Sequence, residues 1–221
     1  MSLGGVIFDW DGVVINSAPL HEKSWEILAG ELNLPLPKDH FERGFGKRND
    51  IIIPEILQWT QNEADIENWG TRKEEIYREL GKKQGIPILK GIREFLGSLK
   101  LKNIPCAIGT STEKKNLNLA FEQLNISHFF SGAACAEDVI HGKPNPEVFI
   151  KAAHIIKKTP SSCVVLEDST HGIIAAKACG MKALGLSTTR EKEELIKSGA
   201  DCVVKDPSFL NISLLQSLFA H

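Results

Sequence analysis

The fold of this chain is decided by the stretch Val6-Ile7-Phe8-Asp9-Trp10-Asp11-Gly12-Val13-Val14 near its start. An apolar strand here delivers two carboxylates, one residue apart, onto a glycine turn. Because strand side chains alternate between faces, Asp9 and Asp11 point the same way and Trp10 points the opposite way. Two converging carboxylates repel each other unless a cation lies between them or one of them holds a proton. Both arrangements serve phosphoryl chemistry, since Mg²⁺ binds carboxylate oxygens and a carboxylate can act as a covalent nucleophile.

Length, charge and cysteine content limit the class of protein. The 221 residues can hold one large domain, or a core with an insertion. With 26 Lys and Arg against 28 Asp and Glu, no strongly basic surface is expected, so we predict neither nucleic acid nor a membrane as partner. The N-terminal stretch has no basic leader and is interrupted by acidic residues, which does not favour a signal peptide. Five scattered cysteines without a CxxC pair suit a reducing compartment, so we expect a cytoplasmic protein, and nothing requires more than a monomer.

From about Gly91 onward the sequence alternates between strand-like and helical segments. Strands are predicted at 104–109, 131–134, 163–166, 182–186 and 201–204. Such alternation is typical of βαβ units. It predicts an α/β fold with a Rossmann-like parallel sheet and helices on both faces.

The segment 17–83 breaks this alternation. Apolar residues recur there at helical spacing, and no convincing strand lies among them. Helices are predicted at 20–32, 51–59 and 69–80. We therefore expect a small helical domain at 17–83, inserted into a core domain formed by 1–16 and 84–221.

Three further polar clusters fall where predicted strands end. Thr110, Ser111 and Thr112 precede a predicted helix, whose free N–H groups can bind phosphate oxygens; the alternative is that one of the three is a simple helix N-cap. Lys143 stands between a glycine and two prolines, so its charge can be held in one place to neutralise phosphate; a solvated surface lysine is the alternative. Glu167 and Asp168 either cap the next helix or complete a magnesium site begun at the first strand.

Taken in order along one α/β chain, these clusters resemble the four signature motifs of the haloacid dehalogenase superfamily. The resemblance covers essentially the whole chain, and the position of the helical insertion resembles the small helical cap of that family. Within the superfamily the sequence is most similar to the branch of beta-phosphoglucomutase and the sugar-phosphate phosphatases. That finer likeness rests on Asp11-Gly12-Val13-Val14, on His21 and Trp25, on Gly142-Lys143-Pro144 and on Glu167-Asp168-Ser169.

The resemblance implies a role for each catalytic position. Asp9 would attack phosphorus and become an aspartyl phosphate. Asp11 would protonate the leaving oxygen and then deprotonate the incoming water or hydroxyl. Thr110 and the backbone amide of Ser111 would hold phosphoryl oxygens, and Lys143 would pair with the phosphate and with Asp9.

The resemblance also implies a magnesium site. Its ligands would be Asp9, the backbone carbonyl of Asp11, and Asp168, with Glu167 nearby or in the outer shell of the ion. The dehalogenases of the superfamily lack a second aspartate at the position of Asp11 and need no magnesium. Asp11 therefore favours phosphoester chemistry.

The helical insertion is expected to choose the substrate. His21, at its start, is positioned to reach over Asp11, and an exposed first-turn histidine is the alternative. Lys47 and Arg48 lie in a glycine-loosened turn from which they would contact the distal part of a substrate, unless they are plain surface residues. Arg48 follows Gly46 one residue earlier than the corresponding arginine of beta-phosphoglucomutase. This difference in spacing speaks against binding of a second substrate phosphate by Arg48.

Three functions remain open from the sequence. The first is a magnesium-dependent phosphatase that acts on a small phosphorylated metabolite such as a sugar phosphate. The second is a phosphoglucomutase-type isomerase, which returns the phosphoryl group to its substrate. The third is a signalling protein switched by phosphorylation of Asp9, which the acidic pair on the first strand and the helical insertion disfavour.

Overall fold

A parallel sheet forms the centre of the computed structural model, which describes residues 2–220. The strands of this range are β1 (Gly5–Phe8), β2 (Cys106–Gly109), β3 (Ala133–Ala134), β4 (Cys163–Glu167), β5 (Lys182–Leu186) and β6 (Cys202–Val204). They pair in parallel in the order β3-β2-β1-β4-β5-β6.

α-Helices cover both faces of the sheet and fill the segment between β1 and β2. They are α1 (Ala18–Leu32), α2 (His40–Gly44), α3 (Asn49–Ile51), α4 (Glu63–Gln84), α5 (Ile92–Leu101), α6 (Lys114–Leu124), α7 (Glu147–Ile155), α8 (Thr170–Ala178), α9 (Lys192–Lys197) and α10 (Ile212–Ser217). Helices α5, α6 and α10 pack on one face, and α7, α8 and α9 pack on the other. The predicted α/β class is confirmed. Among the helices of residues 2–220, none has the length and apolar character needed to span a bilayer.

The position of β1 fixes where the chain can do chemistry. Val6 and Phe8 pack into the α5 and α6 layer and Ile7 packs into the opposite layer, so β1 is buried on both faces. Its neighbours are β2 on one side and β4 on the other. The strand order therefore reverses at β1, and open α/β sheets form their ligand crevice at the carboxyl ends of the strands beside such a reversal.

Residues 18–84 form a helical insertion with a small hydrophobic core of its own. Helices α1 and α4 pack side by side in it. Its buried apolar residues are Trp25, Leu28, Ile52, Ile53, Ile56, Leu57 and Ile76. The helices predicted at 20–32 and 69–80 are confirmed as parts of α1 and α4, whereas the domain boundaries at 17 and 83 stay a prediction.

The helix predicted at 51–59 is wrong in its type. The α-helical turn of α3 passes into a π-helical turn at Ile52–Leu57. Pro54 has no amide hydrogen, so a continuous α-helix would lack one of its i→i−4 hydrogen bonds at this point. The apolar spacing alone does not reveal this change of helix type.

Helix α4 begins six residues before its predicted start at 69. Asn62 caps it, because its side-chain oxygen accepts hydrogen bonds from the backbone N–H groups of Ala64 and Asp65 at 3.0 and 3.1 Å. Ile66 packs on the core of the insertion one turn before Trp69, but mainly charged and amide residues surround it in the sequence, so the apolar spacing at this end is weak.

Two neighbouring linkers join the helical insertion to the core. Ile15 pairs with Ile88 in an antiparallel bridge, and the backbone N–H of Asn16 donates to the carbonyl of Pro87 at 2.8 Å. The chain therefore enters and leaves the insertion at one edge of the core, next to the turn that carries Asp11.

We expect the Asn62 cap to contribute measurably to stability. Asn62→Ala should cost about 1 kcal/mol, because two backbone donors of α4 lose their acceptor. For a chain of this size the melting temperature should fall by about 2–4 °C. Asn62→Asp is the matched control, since aspartate also caps helices; equal melting temperatures for Asn62→Ala and the native chain would contradict the assignment.

Candidate active site

The carboxyl ends of three strands bring together polar residues from the clusters found in the sequence. Asp9 directly follows β1, Glu167 ends β4 and Asp168 comes next, while Lys143 lies in the loop after β3. These four side chains are buried, and only 3% of the Lys143 side chain is exposed. The alternative of a solvated surface lysine at 143 is therefore wrong.

Lys143 lies between two buried carboxylates. Its Nζ is 2.8 Å from Oδ1 of Asp9 and 2.8 Å from Oε2 of Glu167, and it lies 4.7 Å from the centre of the Phe149 ring. Burial alone would lower the pKa of Lys143, but the charges of Asp9 and Glu167 outweigh burial and raise it. The ammonium is thus held charged in a place that water does not reach.

Glu167 is anchored so that it holds Lys143. Its Oε1 accepts hydrogen bonds from the hydroxyl of Ser169 at 2.6 Å and from the Ser169 backbone N–H at 3.1 Å, while Oε2 accepts from Lys143. A Cβ on Gly172 would lie only 2.0 Å from Cδ of Glu167, so the approach of α8 to this side chain requires glycine. Both oxygens of Glu167 are therefore already engaged.

Asp9, Glu167 and Asp168 form a cluster that could hold a metal ion. One carboxylate oxygen from each lies within 4.8 Å of the other two. Burial, and then the charge of Glu167, raises the pKa of Asp9 to about 7, although Lys143 lowers it. Burial and the charges of Glu167 and Asp9 likewise raise the pKa of Asp168 well above its usual value.

The donor set and the charge balance of this cluster fit a hard divalent cation. Three buried carboxylates face one ammonium, so negative charge is in excess. Oxygen ligands are those that Mg²⁺ prefers. Oδ1 of Asp9 accepts no hydrogen bond from residues 2–220, its approach to Lys143 being an ion pair without hydrogen-bond alignment.

The turn after β1 places the metal-binding candidates close to each other. Gly12 has a φ of +74°, and a Cβ there would lie 2.0 Å from Oδ2 of Asp168. The hydroxyl of Thr189 holds this same oxygen by a hydrogen bond. Glycine at position 12 thus permits both the backbone turn and the approach of Asp168.

Asp11 lies outside this cluster and is held by different partners. The hydroxyls of Ser17 and Thr112 donate hydrogen bonds to its two oxygens, and His21 Nε2 lies 3.5 Å from Oδ1. Burial alone would raise the pKa of Asp11, but the contacts with His21, Ser17 and Thr112 outweigh burial and lower it to about 2. The carboxylate is therefore ionised.

His21 reaches over Asp11 and is itself supported from α4. The Lys73 ammonium lies 2.7 Å from His21 Nδ1, and its Nζ is 2.8 Å from Oε1 of Glu74. Because an ammonium has only donors, Nδ1 accepts and the ring proton is on Nε2, facing Asp11. The His21 ring also stacks on Tyr77 at 4.2 Å between centroids. The alternative of an exposed first-turn histidine is wrong.

Thr110 and Ser111 occupy different surroundings. Thr110 is buried, and its hydroxyl donates to the hydroxyl of Thr112 at 3.0 Å and accepts from the Thr112 backbone N–H at 3.1 Å. Ser111 lines the cavity above the sheet. Binding of phosphoryl oxygens by these two residues stays a prediction.

A cavity of about 580 Å³ lies between the helical insertion and the core. Asp11, Ser111 and Thr112 line its core side, while His21, Lys47 and Arg48 line the side formed by the insertion. Arg48 is not free, because it makes a two-point ion pair with Asp50, Nε to Oδ1 at 3.2 Å and Nη2 to Oδ2 at 3.1 Å. Contact of Lys47 and Arg48 with a substrate stays a prediction.

Sequence reasoning does not identify several residues that position the site. Ser17 and Thr112 bind Asp11, Thr189 binds Asp168, and Lys73 with Glu74 supports His21. Thr112 belongs to the hydroxyl cluster that the sequence indicates, but its contact with Asp11 is not predicted from it. Lys73 and Glu74 sit in a charged stretch of helix that resembles a solvated face, yet both are buried.

Comparison with known proteins finds one family along most of the chain. Residues 6–186 match the family model described as haloacid dehalogenase-like hydrolase. Among curated relatives, the 5-amino-6-(5-phospho-D-ribitylamino)uracil phosphatase, chloroplastic, of Arabidopsis thaliana is 34% identical over 97% of this chain. The match covers 57% of that protein, so the chain spans little more than half the length of this relative.

Two further proteins match over nearly their whole length. A phosphorylated carbohydrates phosphatase of Thermotoga maritima is 28% identical over 94% of this chain and 96% of its own length. The crystal structure of a beta-phosphoglucomutase from Clostridium difficile superposes with a TM-score of 0.86 at 25% identity, covering 98% of this chain and 97% of that one.

We expect Lys143 to be essential for the stability of the metal-free protein. Lys143→Met removes the charge at similar length and leaves two buried carboxylates without their cation, which should cost about 3–5 kcal/mol. Urea unfolding with a chelator present measures this loss.

Lys151→Met is the matched control. Lys151 also pairs with a glutamate, Glu147, at 2.7 Å, but its side chain is exposed. That substitution should change the free energy of unfolding by no more than about 0.5 kcal/mol. Equal losses for the two variants would contradict a special role of the buried ammonium.

Proposed function

This chain belongs to the haloacid dehalogenase-like hydrolases, and we propose that it is a magnesium-dependent phosphatase of a small phosphorylated metabolite such as a sugar phosphate. One observation carries this proposal: Asp9, at the carboxyl end of the inner strand β1, lies against a buried ammonium, while a second aspartate, Asp11, is held separately by His21. A nucleophile and an acid–base group with their own supports are what two-step phosphoryl transfer requires.

Asp9 is proposed as the nucleophile. A carboxylate oxygen of Asp9 attacks phosphorus, and the bond from phosphorus to the leaving oxygen breaks as the aspartyl phosphate forms. Lys143 adjoins Asp9 at 2.8 Å and offsets the repulsion between the carboxylate and the phosphate dianion. Water then attacks phosphorus, the phosphate is released and Asp9 regains its carboxylate.

Asp11 is proposed to move the protons of both steps. It gives a proton to the leaving oxygen in the first step and takes one from the attacking water in the second. It is ionised in this structure, so it is in the state that can accept the proton of the attacking water in the second step. A bound phosphate dianion raises the pKa of a neighbouring carboxyl by like-charge repulsion, which is the direction that the first step needs.

We infer that Asp9, Asp168 and the backbone carbonyl of Asp11 would hold Mg²⁺. When bound, the ion supplies positive charge that stabilises the transferring phosphoryl group. Glu167 is assigned a different task, since both of its oxygens are engaged and it fixes the Lys143 ammonium beside Asp9.

The helical insertion is proposed to act as a cap that covers the reacting phosphate. Its His21 contacts Asp11, and Arg190 of the core donates a hydrogen bond to the carbonyl of Glu42 in α2. The cavity between insertion and core supports binding of a small metabolite there.

A mutase is the second candidate, supported by the likeness to a beta-phosphoglucomutase along the whole chain. A mutase must hold a bisphosphate intermediate while it turns, so it needs a free cation for the phosphate that is not reacting. Arg48 is the candidate for that contact, and its pairing with Asp50 favours the phosphatase. Isomerisation of beta-glucose 1-phosphate, stimulated by a sugar bisphosphate, would support the mutase instead.

Asp9→Asn should abolish phosphate release, because a carboxamide of similar shape is a poor nucleophile. A screen of phosphorylated metabolites for phosphate release with Mg²⁺ identifies a substrate, on which both proteins are then compared. Intact-mass measurement after a rapid acid quench should find one phosphate on the native chain and none on the variant. Substantial turnover by a folded Asp9→Asn protein would rule out covalent catalysis by this residue.

Magnesium should stabilise the folded protein as well as support turnover. A ligand that binds only the native state at a hundredfold excess over its Kd adds about 2.7 kcal/mol, so Mg²⁺ should raise the melting temperature. Asp168→Asn should lose most of this rise, because it removes a carboxylate from the cluster.

Asp39→Asn controls for the loss of a negative charge, since Asp39 is exposed and pairs only with Arg43 among residues 2–220. It should keep the full magnesium shift. The proposed site would be wrong if Asp168→Asn and the native chain gave the same shift.

A further inference from the structure

The helical insertion contributes one wall of the cavity, which we call the insertion wall. It comprises His40, Phe41, Phe45, Arg48, Asp50 and Glu67. Asp11, two residues after Asp9, lines the core side of the cavity, so the insertion wall on the opposite side would face the part of a substrate that does not react. Its charges and its hydrogen-bonding groups therefore bear on which phosphoester can bind.

The insertion wall offers little attraction to a second phosphate. The carboxylate of Asp50 pairs with one edge of the Arg48 guanidinium, with Nε at 3.2 Å and with Nη2 at 3.1 Å, and balances its charge, while Nη1 is not part of this pair. A second phosphate would compete with Asp50 for this edge, since guanidinium groups pair with carboxylate and phosphate in the same two-point geometry, or would approach Nη1 next to the negative charge of Asp50. Asp50 thus weakens the contact that a mutase would need.

Further carboxylates face the same cavity. Glu63 and Glu67 line it from consecutive turns of α4, and neither forms an ion pair with a residue in the range 2–220. Three cationic residues line the cavity. Arg48 is paired with Asp50 and the buried Lys73 is paired with Glu74, which leaves Lys47 to balance these carboxylates. A second phosphate would meet net repulsion here.

His40 supplies an independent sign of a ligand. Its side chain lines the cavity, the residue is only 6% exposed, and its Nδ1 lies 2.7 Å from the carbonyl oxygen of Pro37. A carbonyl only accepts, so Nδ1 carries a proton, and in the neutral imidazole Nε2 is an acceptor. Nε2 is buried without a donor from residues 2–220. A buried acceptor without a donor is unfavourable, so a ligand N–H or O–H that donates to Nε2 would lower the free energy of binding.

The surface beside His40 is apolar and aromatic. The rings of Phe41 and Phe45 lie 4.9 Å apart between centroids, and Phe41 also packs against the His40 ring at 6.4 Å. Both phenylalanines line the cavity. Such a surface favours a ligand portion that is flat or apolar over one that is ionised.

We propose that the insertion wall selects a monophosphate whose far end is not anionic, packs on Phe41 and Phe45, and donates a hydrogen bond to His40 Nε2. Asp50 and His40 are then specificity-determining residues, the first against a second phosphate and the second in favour of a donor. This inference rests on the phosphatase function proposed above.

The part played by Asp50 is tested by binding, which does not depend on turnover. In an Asp9→Asn background with Mg²⁺, calorimetry compares the Kd of glucose 6-phosphate with that of glucose 1,6-bisphosphate. Asp50→Asn frees Arg48 and should shift the ratio toward the bisphosphate by up to about fivefold, the range expected for releasing an exposed ion pair. Asp39→Asn, which removes a charge from another exposed pair, should leave the ratio unchanged. An unchanged ratio in Asp50→Asn, or a bisphosphate preference before it, would overturn the role of Asp50.

The part played by His40 is tested with two substitutions that divide its ring atoms. Asparagine at position 40 can still donate to the Pro37 carbonyl but has nothing at the place of Nε2, whereas glutamine puts an amide there. The probes are phenyl phosphate and its 2-, 3- and 4-amino derivatives, which add one N–H donor to a flat ring. At least one amino derivative should bind the Asp9→Asn protein about three- to tenfold more tightly than phenyl phosphate.

That preference should disappear in His40→Asn and persist in His40→Gln. No preference in the parent protein, or the same preference in His40→Asn, would overturn the role of His40. These are binding results, so they are distinct from failure of the phosphatase proposal, which would show as no phosphate release by the native chain from any compound of the metabolite screen.

Discussion

The ammonium of Lys143 between two buried carboxylates is the contact on which the rest of the site depends. A carboxylate removed from water is strongly disfavoured unless an opposite charge accompanies it, and here Asp9 and Glu167 share one cation. The three residues come from three different strand ends. The order of strands in the sheet, with β1 between β2 and β4, is therefore what makes the ion cluster possible.

One residue separates Asp9 from Asp11, yet the surroundings of the two carboxyl groups shift their pKa values in opposite directions. Asp9 faces other carboxylates, and burial with Glu167 raises its pKa to about 7, whereas His21 and two hydroxyls lower the pKa of Asp11 to about 2. Surroundings that move the pKa values of two carboxyl groups apart in this way allow the two groups to take different roles in one site. The excess negative charge around Asp9 also explains why a cation that binds oxygen ligands fits there. The side-chain carboxylate of Asp11 needs no such cation.

The core could be predicted from the sequence because each of its signals is local. An apolar strand followed by a carboxylate, and the alternation after Gly91, require only the periods of strands and helices. The burial of Lys73 and Glu74 could not be predicted, because it depends on how α4 packs against α1 and against Asn116 of the core. The same holds for the pairing of Arg48 with Asp50, since two neighbouring charges in a loop give no sign of whether they bind each other or a ligand. Pro54 was a visible signal, yet it does not say that the helix continues as a π-helical turn.

The stereochemical course at phosphorus tests the proposed role of Asp9 most directly. A phosphomonoester made chiral with three oxygen isotopes is hydrolysed by the native protein with methanol present as acceptor, and the configuration of the methyl phosphate is determined. Transfer through an aspartyl phosphate involves two in-line displacements, so the account predicts retention of configuration. Inversion would mean that the acceptor attacks the substrate directly, and would contradict Asp9 as the nucleophile.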